Sequence, residues 1–275
     1  MPTVLATWNV NSIRARLGRV LDWLAARRPD IACLQETKVA DADFPFDELR
    51  AAGYVATTLG QKTYNGVAIL SRQPPSEVLR GFDDGLDETQ SRFLVATLGP
   101  VRVASVYVPN GQAVGSEKFV YKLEWLARWR RWLEVNARAG APLILCGDFN
   151  IAPEDIDVHD PVRWRDQVLC HPQERAALAR IRAAGFEDTF RHLHPNLAAY
   201  SWWDYRQLSF PRNEGLRIDH VYCPPSWLAE GRCRGIVIDR ETRKGKLPSD
   251  HAPVIAELDL DAPFDAPFAS PPGTP

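Results

Sequence analysis

The run Pro142-Leu143-Ile144-Leu145-Cys146-Gly147-Asp148-Phe149-Asn150 decides how this chain is read. An apolar stretch of strand length stops at a glycine, and an aspartate and an asparagine follow two residues apart. Residues two apart on a strand share a face, so both polar side chains can leave the same side of the strand end. In open α/β folds the ligand crevice lies outside the carboxyl ends of the strands, which makes such a pair a site candidate. Gly-Asp and Asn also form ordinary turns after strands, and this stretch alone is compatible with either reading.

Other stretches share the pattern. Val4-Leu5-Ala6-Thr7-Trp8 runs into Asn9-Val10-Asn11, and Asp30-Ile31-Ala32-Cys33-Leu34 runs into Gln35-Glu36-Thr37-Lys38. Leu247-Pro248-Ser249-Asp250-His251 precedes the strand-like Ala252-Pro253-Val254-Ile255-Ala256, and Arg217-Ile218-Asp219-His220 opens another. Carboxylates, amides and one histidine, with no cysteine among them, describe a site for a hard cation.

The chain has 275 residues, 45% apolar and 25% charged, which is ordinary for a globular protein with one buried core. Nothing resembles a linker, so residues 1–260 read as one domain; the Pro/Ala-rich tail, 261–275, reads as flexible. No apolar run reaches the length of a membrane span and the N-terminus lacks a signal-peptide profile, so the expectation is a cytoplasmic protein without a membrane partner. The five cysteines form no CxxC pair, and two lie in expected core strands, so buried free thiols are expected. A net charge of -2 does not announce a nucleic-acid binder. The signs are segregated, however: Asp83, Asp84, Asp87 and Glu88 cluster, while Arg240, Arg243, Lys244 and Lys246 lead into Ser249-Asp250-His251. That basic segment is either a wall for phosphates or a solvated loop.

In chain order, Ile13, Leu17, Val20, Leu21 and Leu24 recur at helical spacing up to Pro29, giving strand, helix, strand. Strands are expected at 66–71, 92–98 and 101–108; coming without intervening helices, they suggest antiparallel pairing and a mixed sheet. The spacing predicts a long helix over 116–138 with Phe119, Leu123, Leu126, Trp129 or Arg130, and Leu133 inward. A second helix is expected at 172–184, a loop-rich aromatic stretch over 189–219, and strands near 218–222, 236–239 and 254–260.

A magnesium ion takes oxygen ligands and commonly meets phosphate oxygens of a substrate; Glu36, with Asn9 and Asp250, would suit it. Asp148 could position and deprotonate a water while Asn150 fixes its geometry or donates to the phosphate. A carboxylate such as Asp219 beside His251 favours the imidazolium, which stabilises charge on a phosphate in the transition state.

The motifs WNVNSIRAR (8–16), LQETK (34–38), GQKTYNGVAILS (60–71), YVPNG (107–111), GDFNIAP (147–153), DTFRH (188–192), SWWDYR (201–206), GLRID (215–219) and SDHAPV (249–254) closely resemble the exonuclease III family. This is the bacterial apurinic/apyrimidinic endonuclease group within the endonuclease/exonuclease/phosphatase superfamily. The resemblance implies a four-layer α/β sandwich, two mixed sheets face to face with helices outside. It implies Mg²⁺ or Mn²⁺ at Glu36 with Asn9, Asp148, Asn150 and Asp250 nearby. Tyr107 would be an active-site residue, Asp148 the proton donor or acceptor, Asn150 the transition-state stabiliser, and Asp219 the support of His251 at the phosphate. Asn110 and Lys118 would meet the substrate, and Trp202, Leu216 and Ile218 would line a pocket for an abasic sugar. The implied function is a monomeric DNA repair nuclease that cuts 5′ to abasic sites in duplex DNA and removes nucleotides or blocking groups from 3′ ends. His220 and the insert at 158–170 lie outside the motifs that carry the resemblance. Two alternatives are a phosphodiesterase acting on lipid or inositol phosphates, against which SWWDYR and GLRID speak, and a non-catalytic nucleic-acid-binding regulator, which would be expected to lack Glu36, Asp148 or Asp250.

Overall fold

Residues 2–86 and 89–260 are described by the structure, a computed structural model. In chain order the elements are β1 (Thr3–Asn9), α1 (Ile13–Arg27), β2 (Ile31–Gln35), α2 (Phe46–Ala51), β3 (Val55–Leu59), β4 (Val67–Ser71), β5 (Glu77–Arg80), β6 (Phe93–Leu98), β7 (Val101–Tyr107) and α3 (Glu117–Asn136). They continue with β8 (Leu143–Asp148), α4 (Pro161–Trp164), α5 (Pro172–Ala183), β9 (Glu187–Asp188), α6 (Thr189–Leu193), α7 (Ser209–Arg212), β10 (Asp219–Cys223), α8 (Pro225–Ala229), β11 (Cys233–Ile238) and β12 (Val254–Leu258). The tail read as flexible, and Asp87 and Glu88, lie outside the described residues.

The strands form two six-stranded sheets, ordered β11-β12-β1-β2-β4-β3 and β5-β6-β7-β8-β10-β9. Both are mixed: β1–β2 and β7–β8 are parallel, and the other pairs are antiparallel. The expected antiparallel pairing holds for β6 and β7. Strand β4, however, lies in the other sheet between β2 and β3, so the chain changes sheets after it.

Alternation assigns each strand residue to a layer. Leu5, Ile31, Cys33, Val67 and Ile69 of the first sheet meet Leu94, Val103, Ile144, Cys146 and Val221 of the second in one apolar core. The opposite face of the second sheet, with Ala104 and Leu145, packs on Trp125, Leu126 and Trp129 of α3 and Leu178 and Ile181 of α5. The opposite face of the first, with Ala6, Trp8, Ala32 and Leu34, packs on Val20, Trp23 and Leu24 of α1. This is the expected four-layer sandwich, held chiefly by burial of apolar surface.

On α3 the inward residue is Trp129 rather than Arg130; Trp125 and Trp132 are buried as well, and so is Lys122. All five cysteines are free and buried. Among the described residues no helix is long and apolar enough to cross a membrane.

Candidate active site

The inner-face phase of β1, β7, β8 and β10 continues to their ends and there turns polar. Leu5 and Thr7 lead to Asn9, Val103 and Ser105 to Tyr107, Ile144 and Cys146 to Asp148, while Asp219 precedes Val221. Register aligns them: Asp148 is paired with both Tyr107 and Asp219, and Asn9 with Gln35, just before Glu36. Beneath the site Thr7 Oγ1 donates to Gln35 Oε1 (3.2 Å) and Gln35 Nε2 to Ser105 Oγ (3.2 Å), a polar rung closing off the apolar core. Gly147 is required by close approach: at φ 151° a Cβ would lie 1.9 Å from the Val106 carbonyl oxygen. Asn11, Glu36 and Asn150 hold left-handed backbone (φ 47°, 51° and 50°), a conformation that gathers at functional sites.

One amide joins the sheets. Asn9 Nδ2 donates to Glu36 Oε1 (2.8 Å) and Asp148 Oδ2 (2.9 Å), while Asn9 Oδ1 accepts the Asn11 N–H (3.0 Å). Asn150 donates its N–H to Asp148 Oδ1 (2.9 Å) and its Nδ2 to Asp148 Oδ2 (3.2 Å) and the Val108 carbonyl (2.9 Å). Its Oδ1 accepts from Asn110 Nδ2 (3.1 Å). His251 Nδ1 donates to Asp219 Oδ2 (2.8 Å), and Ser201 Oγ donates to the same oxygen (2.7 Å) while accepting the N–H groups of Ile218 and Asp219. His251 Nε2 is left facing Asp148 Oδ2 at 3.8 Å.

These contacts set the charges. Burial disfavours the His251 imidazolium, but Asp219 and Asp148 outweigh it and hold the group up at about 10. Burial, helped by Asp219 and Glu36 against the pull of His251 and Asn9, pushes Asp148 to about 7, where a carboxylate can take a proton near neutral pH. Glu36 is lowered: burial opposes its charge, and Lys38, Asn9 and His251 together prevail. Burial and the nearby Glu36 charge hold the Tyr107 phenol well above its ordinary range; the Arg92 guanidinium lies over its ring at 4.5 Å.

Glu36, Asp148 and His251 bring one potential ligand atom each within 4.8 Å of the others; His251 as an imidazolium has no lone pair to give, which leaves the two carboxylates to hold a metal ion. A cation already sits at the edge of this set: Lys38 Nζ lies 2.8 Å from Glu36 Oε2 and donates to Asn11 Oδ1 (2.6 Å). The two carboxylates fit a hard divalent ion. Asp250 is not in that set. Its oxygens accept from Asn11 Nδ2 (3.0 Å) and Trp202 Nε1 (3.0 Å). Asn9 and Asn150 present amide nitrogen, not oxygen, to the carboxylates.

Beside Tyr107 a groove of 790 Å³ includes Asn110 and Lys118 together with Tyr64, Asn65 and Arg92. The pocket expected at Trp202, Leu216 and Ile218 takes a different form. Leu216 and Ile218 are 0% and 1% exposed, packed with Val158, Leu169 and Cys170 of the insert, and only Trp202 of the three reaches the surface. The cavity at Trp202 is polar, 260 Å³ in volume, with His159, Arg163 and Trp164 from the insert and Arg206 opposite. Trp203, as its alternation with Trp202 implies, is core.

The basic segment divides. Arg243 is buried, donating to the carbonyls of Ser249 and Trp203, and Arg240 lies over the rings of Trp203 and Phe210. Lys244 and Lys246 are exposed, Lys244 beside Glu241, and fit the solvated-loop description. Arg217 of the GLRID motif is scaffold too: it pairs with Asp157 (2.7 Å) and Asp188 (2.8 Å) and donates to His220 Nδ1 (3.1 Å). His220 therefore carries its proton on Nε2, which donates to the Ile151 carbonyl (2.9 Å). Asn11, Lys38 and Ser201 belong to the site and were not singled out from sequence, although each lies inside a quoted stretch.

The endonuclease/exonuclease/phosphatase family pattern matches residues 6–251. Exodeoxyribonuclease III of Haemophilus influenzae is 37% identical over 264 residues, covering 92% of this chain and 98% of that protein. The solved structure of the 3′ phosphatase NExo from Neisseria, bound to a product DNA hairpin, superposes with a TM-score of 0.91 at 42% identity, over 94% of this chain and 100% of that one. An AP endonuclease from Archaeoglobus fulgidus gives a TM-score of 0.89 at 38% identity, again over 94% and 100%. With the strand-end carboxylates, the His251–Asp219 pair and these relatives in agreement, the chain belongs to the endonuclease/exonuclease/phosphatase family.

Proposed function

We propose that this chain is a metal-dependent DNA repair nuclease, which hydrolyses the phosphodiester 5′ to abasic sites in duplex DNA and clears nucleotides or blocking groups from 3′ ends. The observation that carries it is the line Asp219, His251, Asp148, Asn9, Glu36, which runs between the ends of both sheets. Relatives described as an exodeoxyribonuclease III, an AP endonuclease and a 3′ phosphatase bound to a DNA hairpin support a DNA duplex as substrate.

Mg²⁺ or Mn²⁺ held by Glu36 and Asp148 would supply positive charge against the phosphate oxygens. Asp148 takes a proton from the attacking water, whose oxygen joins phosphorus as the bond to the 3′ oxygen breaks; that oxygen takes the electron pair, gains a proton from solvent and leaves as the 3′ hydroxyl. His251, charged and fixed through Nδ1 by Asp219, directs its Nε2–H at the phosphate and opposes the growing negative charge. Asn150 holds both oxygens of Asp148, and Tyr107 stays a neutral donor beside Glu36. The groove with Asn110 and Lys118, and the cavity at Trp202, flank this centre and receive the strand.

The test is incubation of a duplex carrying one abasic site and one undamaged recessed 3′ end, with Mg²⁺ and with EDTA. The proposal predicts incision 5′ to the abasic site and 3′ trimming with Mg²⁺, and neither in EDTA. An intact duplex in Mg²⁺, together with hydrolysis of inositol phosphates, would replace it with the phosphodiesterase reading.

A further inference from the structure

Helix α3 turns one charged side chain into the protein. Lys122 is fully buried, a position a charge keeps only with partners. Its Nζ donates to the carbonyls of Asn150 (2.7 Å) and Asn110 (3.1 Å) and forms an ion pair with Glu174 of α5, itself fully buried. Three partners match the three donors of an ammonium. Glu174 also accepts the N–H of His171 (3.1 Å), which closes the first turn of α5. The turn after Asn110 folds over the lysine stem, since a Cβ on Gly111 would stand 3.1 Å from Lys122 Cδ.

Both carbonyls belong to turns leaving neighbouring strands, β7 and β8, and the side chains of the same two asparagines meet at 3.1 Å. Asn150 holds left-handed backbone and fixes both oxygens of Asp148. An error in its placement passes directly to the carboxylate assigned to water activation.

We propose that Lys122 is a positioning residue: its ammonium clamps the Asn110 and Asn150 carbonyls and thereby sets Asp148 and Asn150 in reacting geometry. The inference rests on the nuclease reading for its catalytic consequence. A buried ion pair that merely supports the fold behaves differently. Removing one partner strands the other charge, whereas replacing both by apolar side chains of similar volume is often neutral for stability. The double substitution Lys122→Met/Glu174→Met therefore keeps the fold while freeing the two carbonyls. Glu174→Gln does the reverse, weakening the ion pair while the lysine still reaches both carbonyls.

The experiment measures Tm, kcat and KM on abasic duplex at saturating Mg²⁺, and amide hydrogen exchange at Asn150, for wild type and both variants. Positioning predicts that the double variant loses kcat by about ten- to a hundredfold with KM within about twofold, because small displacements of reacting groups act on turnover. Asn150 N–H protection falls at least about tenfold in that variant while the core of β8 stays protected. Glu174→Gln keeps kcat within about threefold even where its Tm drops. The inference is overturned by a double variant with wild-type kcat and Asn150 protection, or by losses of kcat that follow Tm, with Glu174→Gln affected as much as the double. Should the double variant fail to fold, Glu174→Gln decides by the same criterion. A wild type that cuts no DNA, yet loses Asn150 protection in the double variant, would overturn the nuclease reading and leave the clamp standing.

Discussion

Asp219→Asn is the most informative single change, because it leaves the shape of the site and removes the charge that holds His251 protonated. The carboxylate lies 2.8 and 3.1 Å from His251 Nδ1, with Ser201 Oγ donating to it from behind and itself held by the N–H groups of Ile218 and Asp219. It is the largest influence raising His251 to about 10, against a burial that by itself would place the group below its ordinary 6.5. The interval corresponds to at most about 5 kcal/mol, at about 1.4 kcal/mol per pH unit. Without Asp219 the imidazole is expected neutral at pH 7.5. Loss of one group that stabilises transition-state charge costs about 3 to 4 kcal/mol, so kcat should fall by roughly two to three orders of magnitude. The assay pairs kcat at pH 7.5 with an NMR titration of the His251 ring in EDTA. A raised folded value also gives stability that is fully present below pH 6.5 and lost as pH rises through 10; wild type should show that loss and Asp219→Asn should not. A wild-type His251 titrating near 6.5, or a folded Asp219→Asn with kcat within about threefold of wild type, would refute the reasoning.

Glu36→Gln removes a carboxylate from the cation site and should raise the Mg²⁺ concentration for half-maximal rate by at least about tenfold, with recovery at high metal; a Mg²⁺ titration of kcat checks it. Trp202→Ala should lower kcat/KM on abasic duplex by about ten- to a hundredfold, while a minimal phosphodiester reacts nearly unchanged; equal losses would mean that the contact with Asp250, and not the cavity, carries the effect. His220 is held at about 4 by burial and Arg217. Its folded value is lowered, so it contributes stability present above pH 6.5 and lost as pH falls through 4, up to about 3 kcal/mol; denaturant melts from pH 7 to 4 should be flatter for His220→Gln than for wild type.

Much of the site was legible because strand ends announce themselves: period-two apolar runs stop, and oxygen-bearing side chains continue the same phase. Asn9, Tyr107, Asp148 and Asp219 are all of this kind. The half-exposed β3 and β5 lack a clear apolar run and were not read. The change of sheet after β4 has no local signal, since an antiparallel neighbour can lie in either sheet. Lys122 escaped because a charged residue on a helix is first taken as solvated, and only the fold brings Glu174 of α5 and the carbonyls of Asn110 and Asn150 to it. Arg243 shows the opposite error available to composition: it stands in a basic run, yet it is spent on backbone carbonyls and aromatic rings. The insert at 158–170 defeated the expectation for Leu216 and Ile218, because no spacing in the sequence shows that Val158 and Leu169 fold over them.

The central claim is that Asp148, held between Asn9, Asn150 and His251, activates the water that cuts the strand. Its most direct test is single-turnover incision of an end-labelled abasic duplex by wild type and Asp148→Asn at saturating Mg²⁺, with the variant's Tm matched to wild type. The account predicts incision 5′ to the abasic site by wild type and a rate at least about a hundredfold lower for the variant at every pH from 6 to 9. Incision by Asp148→Asn within about threefold of wild type would contradict it.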